Sequence, residues 1–107
     1  MKKYVGTIAS TGSAKSCVKI LHNEDDFFKV KEGDIIVVYE SSPAWTIPLL
    51  KSSGMICEVG GVTSHIAIIC RELSVPCITG IESITSKLHD GEIVSIDCNA
   101  GEVFQIE

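Results

Sequence analysis

Short apolar runs separated by glycine, serine and proline breaks make up most of this chain. The first, YVGTIASTGSAKSCVKIL (4–21), has β-favouring residues on both sides of a small polar stretch near Ser10–Ser13, which predicts two strands joined by a loop. Gly33 and Asp34 lead into IIVVYE, a continuous apolar run of the kind a strand covered on both faces requires. Ser41, Ser42 and Pro43 end it. In TIPLLKSS (46–53) the pattern predicts a helix that tolerates Pro48 in its first turn and stops at Gly54. MICEV predicts another short strand.

Beyond that strand, GGVTSHIAIICREL (60–73) opens with two glycines and two hydroxyl residues. Ile66, Ile69, Cys70 and Leu73 then recur at the i, i+3, i+4, i+7 spacing of one buried helix face, while His65, Ile68 and Glu72 fall on a different side. Pro76 starts an extended piece, CITG, and Glu82–Leu88 reads as a helix that stops near Gly91. EIVSID, the loop CNAG and EVFQI form the clearest hairpin. Strands at both ends with helices alternating between them predict an α/β domain of two or three layers, built on a small sheet or a pair of sheets. No linker, repeat or low-complexity stretch divides the 107 residues, so residues 1–107 are expected to form one domain.

Charge narrows the partners. Nine Lys and Arg against 14 Asp and Glu leave a net charge of −5 with the basic residues scattered, the wrong balance for a surface that neutralises nucleic-acid phosphates. The longest apolar run, Ile35–Tyr39, is far short of the roughly 20 residues that span a bilayer. The amino terminus has no signal-peptide pattern. No nucleic acid and no membrane is expected as a partner, and the expected compartment is the cytoplasm. The five cysteines, Cys17, Cys57, Cys70, Cys77 and Cys98, are widely spaced and contain no C-x-x-C, so they read as reduced, mostly buried thiols. Cys57, His65 and Cys70 are close enough in sequence to raise a metal trio, but no fourth ligand follows at a recognisable interval, and no metal is expected. A thiol enzyme is disfavoured because no cysteine sits at a helix start or in a basic setting.

Residues 60–65 carry the candidate chemistry. The first N–H groups of a helix lack intrahelical partners and its dipole places partial positive charge there, so an anion is stabilised at that end. Ser64 or Thr63 suits the N-cap, and Gly60 and Gly61 leave the backbone open to an approaching group. The dipole also disfavours a charged imidazole at His65, and a neutral one has a ring nitrogen free to attack phosphorus. A phosphoimidazole formed there would put negative charge where the helix start accommodates it. By itself a histidine at a helix start is most often a capping or surface residue. His22, at a strand end, and His89, in a helix stop, lack even that setting and read as structural or solvated.

GGVTSHIAIICREL with the following SVPCITG resembles the phosphohistidine motif G-G-x-T-S-H-x-A-I-x-x-R-E-x-G-I-P-x-x-x-G. That motif belongs to the mobile, or swivelling, domain of phosphoenolpyruvate-utilising enzymes, among them phosphoenolpyruvate synthase, pyruvate phosphate dikinase, the first enzyme of the sugar phosphotransferase system and rifampin phosphotransferase. The likeness continues through GTIASTGSAKSCVKIL, KVKEGDIIVV, SPAWTIPLLKSSGMICEVGG and LHDGEIVSIDCNAGEV. It implies a compact swivelling β/β/α three-layer fold. It also implies that His65 carries the phosphoryl group, that the Thr63 hydroxyl steadies the imidazole, and that Gly60, Gly61 and Ser64 form the phosphate-binding loop and helix start. Ser16, Ser74 and Cys98 depart from the pattern by standing where the family usually has glycine. Arg71, the only arginine, matches the family's R-E; six residues along a helix turn it away from His65, so it reads as a surface or pairing residue.

The implied activity is that of a phosphoryl carrier, in which His65 passes phosphate between an ATP- or phosphoenolpyruvate-binding partner and an acceptor. Family enzymes join this domain to an ATP-binding domain or a phosphoenolpyruvate-binding barrel, and this sequence contains neither. The resemblance therefore implies a phosphotransferase component that is incomplete without a separate ATP-binding or phosphoenolpyruvate/pyruvate-binding protein. No cofactor is expected on the domain itself, and Mg²⁺ with ATP or phosphoenolpyruvate is expected on the partner. Assembly into a homo-oligomer is left open. The rival reading is a non-catalytic interaction or regulatory module that keeps the fold and lacks the chemistry.

Overall fold

The computed structural model describes residues 2–106. At its centre is strand β4 (Ile35–Glu40), in which Ile35 and Val37 face one layer, Ile36 and Val38 the other, and all four are fully buried. Side chains alternate along a strand, so a run with no polar position needs a cover on each face. β4 pairs in parallel with β3 (Ser13–Leu21) and β5 (Gly54–Val59), and β5 pairs in parallel with β6 (Cys77–Thr79). β2 (Thr7–Ser10) closes that edge in antiparallel pairing with β6.

Parallel neighbours require connections that cross a sheet face, and those connections supply one cover. A 3₁₀ helix (Glu24–Lys29) joins β3 to β4, a 3₁₀ turn (Pro43–Trp45) running into α1 (Thr46–Leu49) joins β4 to β5, and α2 (His65–Leu73) joins β5 to β6. Trp45, Leu49, Ile66, Ala67 and Cys70 pack there with Ile36, Val38, Met55 and Cys57. The other cover is a second sheet, made of the antiparallel hairpin β7 (Ile93–Asp97) and β8 (Glu102–Gln105) with β1 (Lys2–Val5) at its edge. Val94, Ile96 and Val103 from that sheet, with Ile84 of α3 (Ile84–Lys87) and Leu88 just after it, pack with Val18, Ile20, Ile35, Val37, Ile56 and Ile78. β3 joins the two sheets: Ser13–Cys17 pair antiparallel with β7, and Val18–Leu21 pair in parallel with β4. The result is the expected β/β/α three-layer arrangement, with strand order β1-β8-β7-β3-β4-β5-β6-β2.

Four local expectations change. The segment read as two strands contains three, because the chain leaves one sheet for the other at Gly6. There the Gly6 N–H donates to Gly101 O at 3.0 Å, and a Cβ would lie 2.6 Å from Thr79 O and 2.7 Å from Ile81 Cγ1. The helix expected over 46–53 spans only Thr46–Leu49, and Gly54 is no stop but the first, buried residue of β5, where a Cβ would sit 2.5 Å from Ile96 Cδ1. The helix expected over Glu82–Leu88 shrinks to Ile84–Lys87, since Ser83 adopts the left-handed conformation at φ 62° and cannot extend it. Along α2, Ala67 joins the core, whereas Leu73 is 41% exposed and lines a shallow cleft with Leu49, Leu50 and Val75. The Glu24–Lys29 helix, capped by Asn23 Oδ1 accepting from Asp25 N–H at 2.9 Å, is too short and too polar to produce an apolar period.

Candidate functional site

α2 begins at His65 because Ser64 has extended backbone (φ −66°, ψ 159°) and its Oγ accepts the Ala67 N–H at 3.3 Å. The Ile66 N–H goes to the Oγ of Ser41, just past the end of β4, at 3.4 Å. Upstream, Gly61 O accepts the Ser64 N–H at 3.1 Å and closes the turn that delivers the chain to the helix. Two of the first helical N–H groups are thus met by hydroxyls, and the His65 N–H has no hydrogen-bond partner among the described residues.

His65 is exposed, and so is Thr63. Neither the imidazole nor the Thr63 hydroxyl makes a hydrogen bond or ion pair with a described residue. The imidazole therefore stands at the outer end of a helix whose opposite face, Ile66, Ala67 and Cys70, is fully buried. Gly60 and Gly61 precede it. Neither has a positive φ, a Cβ on Gly60 would meet Cys57 Sγ at an ordinary 3.5 Å, and a Cβ on Gly61 would meet nothing within 4 Å. Packing and backbone conformation would accept a side chain at both positions, so the two glycines leave space on the outer side of the turn.

Arg71 is exposed and paired, as its sequence reading has it. Its partners are two backbone carbonyls: Nη1 donates to Ala9 O at 2.6 Å and Nη2 to Val62 O at 2.7 Å, which straps the turn before His65 to the end of β2. Sequence reasoning missed this strap, and it missed the Ser41 contact as well; Ser41 registered only as a residue that ends a strand. Of the three positions where the resemblance expects glycine, Ser74 alone keeps a glycine-like backbone, at φ 58° and ψ 38°, as the left-handed cap of α2. Ser16 and Cys98 have no positive φ.

The remaining candidates do not assemble. Cys57 and Cys70 are buried in the core while His65 faces out, and no three His, Cys, Asp or Glu side chains among the described residues form a metal-holding group. Burial pushes the Cys57 thiol up to about 11 and the Cys98 thiol up to about 12, so neither offers appreciable thiolate near neutrality. His22 is exposed, and the His89 side chain is 78% exposed beside Glu92. Among the described residues no helix is long and apolar enough to cross a membrane.

Residues 30–101 match the family described as PEP-utilising enzyme, mobile domain. A probable phosphoenolpyruvate synthase of Methanothermobacter thermautotrophicus is 39% identical over 100 residues, which are 94% of this chain and 15% of that protein. The solution structure of Enzyme I (nEIt) is similar with a TM-score of 0.63 and 29% identity over 73% of this chain and 32% of its own. Aconitase X of Thermococcus kodakaraensis, in its holo-form, reaches a TM-score of 0.74 over 100% of both chains at 17% identity, a likeness of fold alone. The chain spans 12% to 15% of the length of the first curated relatives it matches.

Proposed function

The chain belongs to the PEP-utilising enzyme mobile domain family, and from that premise we propose that it is a phosphoryl carrier whose acceptor atom is a ring nitrogen of His65. The observation that carries the reading is an exposed imidazole at the capped start of a helix that is fully buried on its other side, behind two glycines that packing does not demand.

In the proposed step an unprotonated ring nitrogen attacks the phosphorus of a donor held by a partner. The N–P bond forms as the bond from phosphorus to the donor's departing oxygen breaks, and the return step reverses this onto the acceptor. The outer end of α2 and the unpartnered His65 N–H favour the added negative charge. Gly60 and Gly61 let the donor approach the backbone, Ser64 fixes the helix start, and Thr63 is the residue from which a hydroxyl can steady the ring. Mg²⁺ accompanies ATP or phosphoenolpyruvate on the partner, where it neutralises phosphate charge; this chain's residues supply the nucleophile and its orientation. A carrier must also release what it binds, which suits a site with no cation of its own against the imidazole.

The alternative is a non-catalytic module that keeps the fold. Labelling separates the two. Incubation with an ATP- or phosphoenolpyruvate-binding partner and labelled donor should place acid-labile, base-stable phosphate on the wild type and none on His65→Ala. Label that persists on His65→Ala, or a wild type that stays unlabelled with every such partner, would leave the module.

A further inference from the structure

Away from His65, the ends of β2 and α2 enclose a cleft of about 310 Å³ lined by Ile8, Ala9, Ser10, Thr11, Arg71 and Ser74. Its chemistry is one-sided: a guanidinium, three hydroxyls and no carboxylate. Arg71 has no acidic partner among the described residues, in a chain with 14 acidic side chains. Its contacts to Ala9 O and Val62 O engage two of the five N–H groups that a guanidinium presents and leave three. Ser10 lines the cleft, and its hydroxyl, unlike the buried Thr79 Oγ1, is open to solvent and has no hydrogen bond to a described residue. Ser74, the left-handed cap of α2, also lines the cleft.

We propose that this cleft binds a phosphate-type oxyanion, held by the free guanidinium N–H groups of Arg71 and the hydroxyls of Ser10, Thr11 and Ser74, at a site separate from His65. Arg71 suits the task because its planar fork matches two oxygens of one anion, and it is already fixed in place by its two carbonyl contacts. The proposal goes beyond the carrier reading and does not depend on it.

The test is a ¹H–¹⁵N titration of the intact chain with inorganic phosphate, with glycerol phosphate as a phosphomonoester probe and sodium chloride at matched ionic strength as the control. Saturable shifts at the Arg71 Nε–H and the Ser10, Thr11 and Ser74 amides are expected, tighter for whichever of the two probes represents the natural source. Arg71→Lys should weaken binding about tenfold. Ser10→Ala and Ser74→Gly should weaken it about threefold, and Ser74→Gly should do so while raising stability, so the loss is not a folding defect. His65→Ala should bind as the wild type does, which keeps this result independent of phosphoryl transfer. Shifts that follow ionic strength alone, or binding that Arg71→Lys and Ser74→Gly both leave unchanged, would overturn the proposal.

Discussion

Glycine serves opposite ends in two parts of this molecule. At the crossing between β1 and β2, Gly6 is required by packing, because any Cβ would be driven to 2.6 Å from Thr79 O. In the turn before α2, Gly61 faces open space and adopts no positive φ, so the fold makes no such demand. The first glycine lets two sheets share one strand-rich segment. The second leaves room beside an exposed imidazole. A glycine the interior forbids replacing reports on architecture, and a glycine it would readily replace points to something that approaches from outside.

Four experiments break or sharpen this contrast. The largest effect is expected at the exposed side: His65→Ala should abolish phosphoryl labelling while the urea midpoint moves by no more than about 0.5 kcal/mol of stability, as for an exposed residue with no partners. Next comes the paired substitution. Gly6→Ala should cost about 3 kcal/mol in urea unfolding through overpacking, whereas Gly61→Ala should leave stability within about 0.5 kcal/mol and slow transfer by about tenfold or more by crowding the donor. Equal loss of stability in the two variants would erase the distinction. Ser74→Gly should raise stability by about 1 kcal/mol, since glycine relieves the left-handed cap of α2; a thermal melt reads this directly.

The smallest effect concerns pH and belongs to an exposed carboxylate, Asp90. Burial raises the Asp90 carboxyl, but the hydrogen bonds from the Ile20 N–H at 2.7 Å and Lys29 at 2.8 Å outweigh it and hold the group below its ordinary value. With the folded value lowered, the unfolded chain binds the proton more readily as pH falls, so this contribution is complete above the ordinary carboxylate range and is lost below it. Asp90→Asn should flatten that acid-side decline and cost under about 1 kcal/mol near neutrality, as the side chain is 42% exposed. Chemical unfolding at a series of pH values measures both.

Much of this was legible before any coordinates. The first four residues of IIVVYE offer no polar position to turn toward solvent, and they became the buried part of the central strand. The capped start of α2 fell on His65 because Ser64 can take the first free N–H groups, and the CNAG hairpin joined the two strands read for it. Where the reading slipped, a contact from far along the chain had intervened. Gly6 splits a β-favouring segment because Thr79 and Ile81 press against it. α1 stops at Leu49, since Gly54 is needed in β5 opposite Ile96. Leu73 keeps the helical spacing of a core residue but lies where the helix no longer has the core beneath it.

The sequence by itself determined which stretches had to be covered, where α2 begins and which histidine stands at its start, because each follows from periodicity and from donors a few residues apart. Only the tertiary structure decided that Arg71 reaches Ala9, 62 residues away, that Ser41 joins in capping α2, and that Gly60 and Gly61 are free of packing demands. The reason is physical: a local pattern records what one segment needs from its surroundings, and the identity of the distant atom that meets the need exists only once the layers have closed.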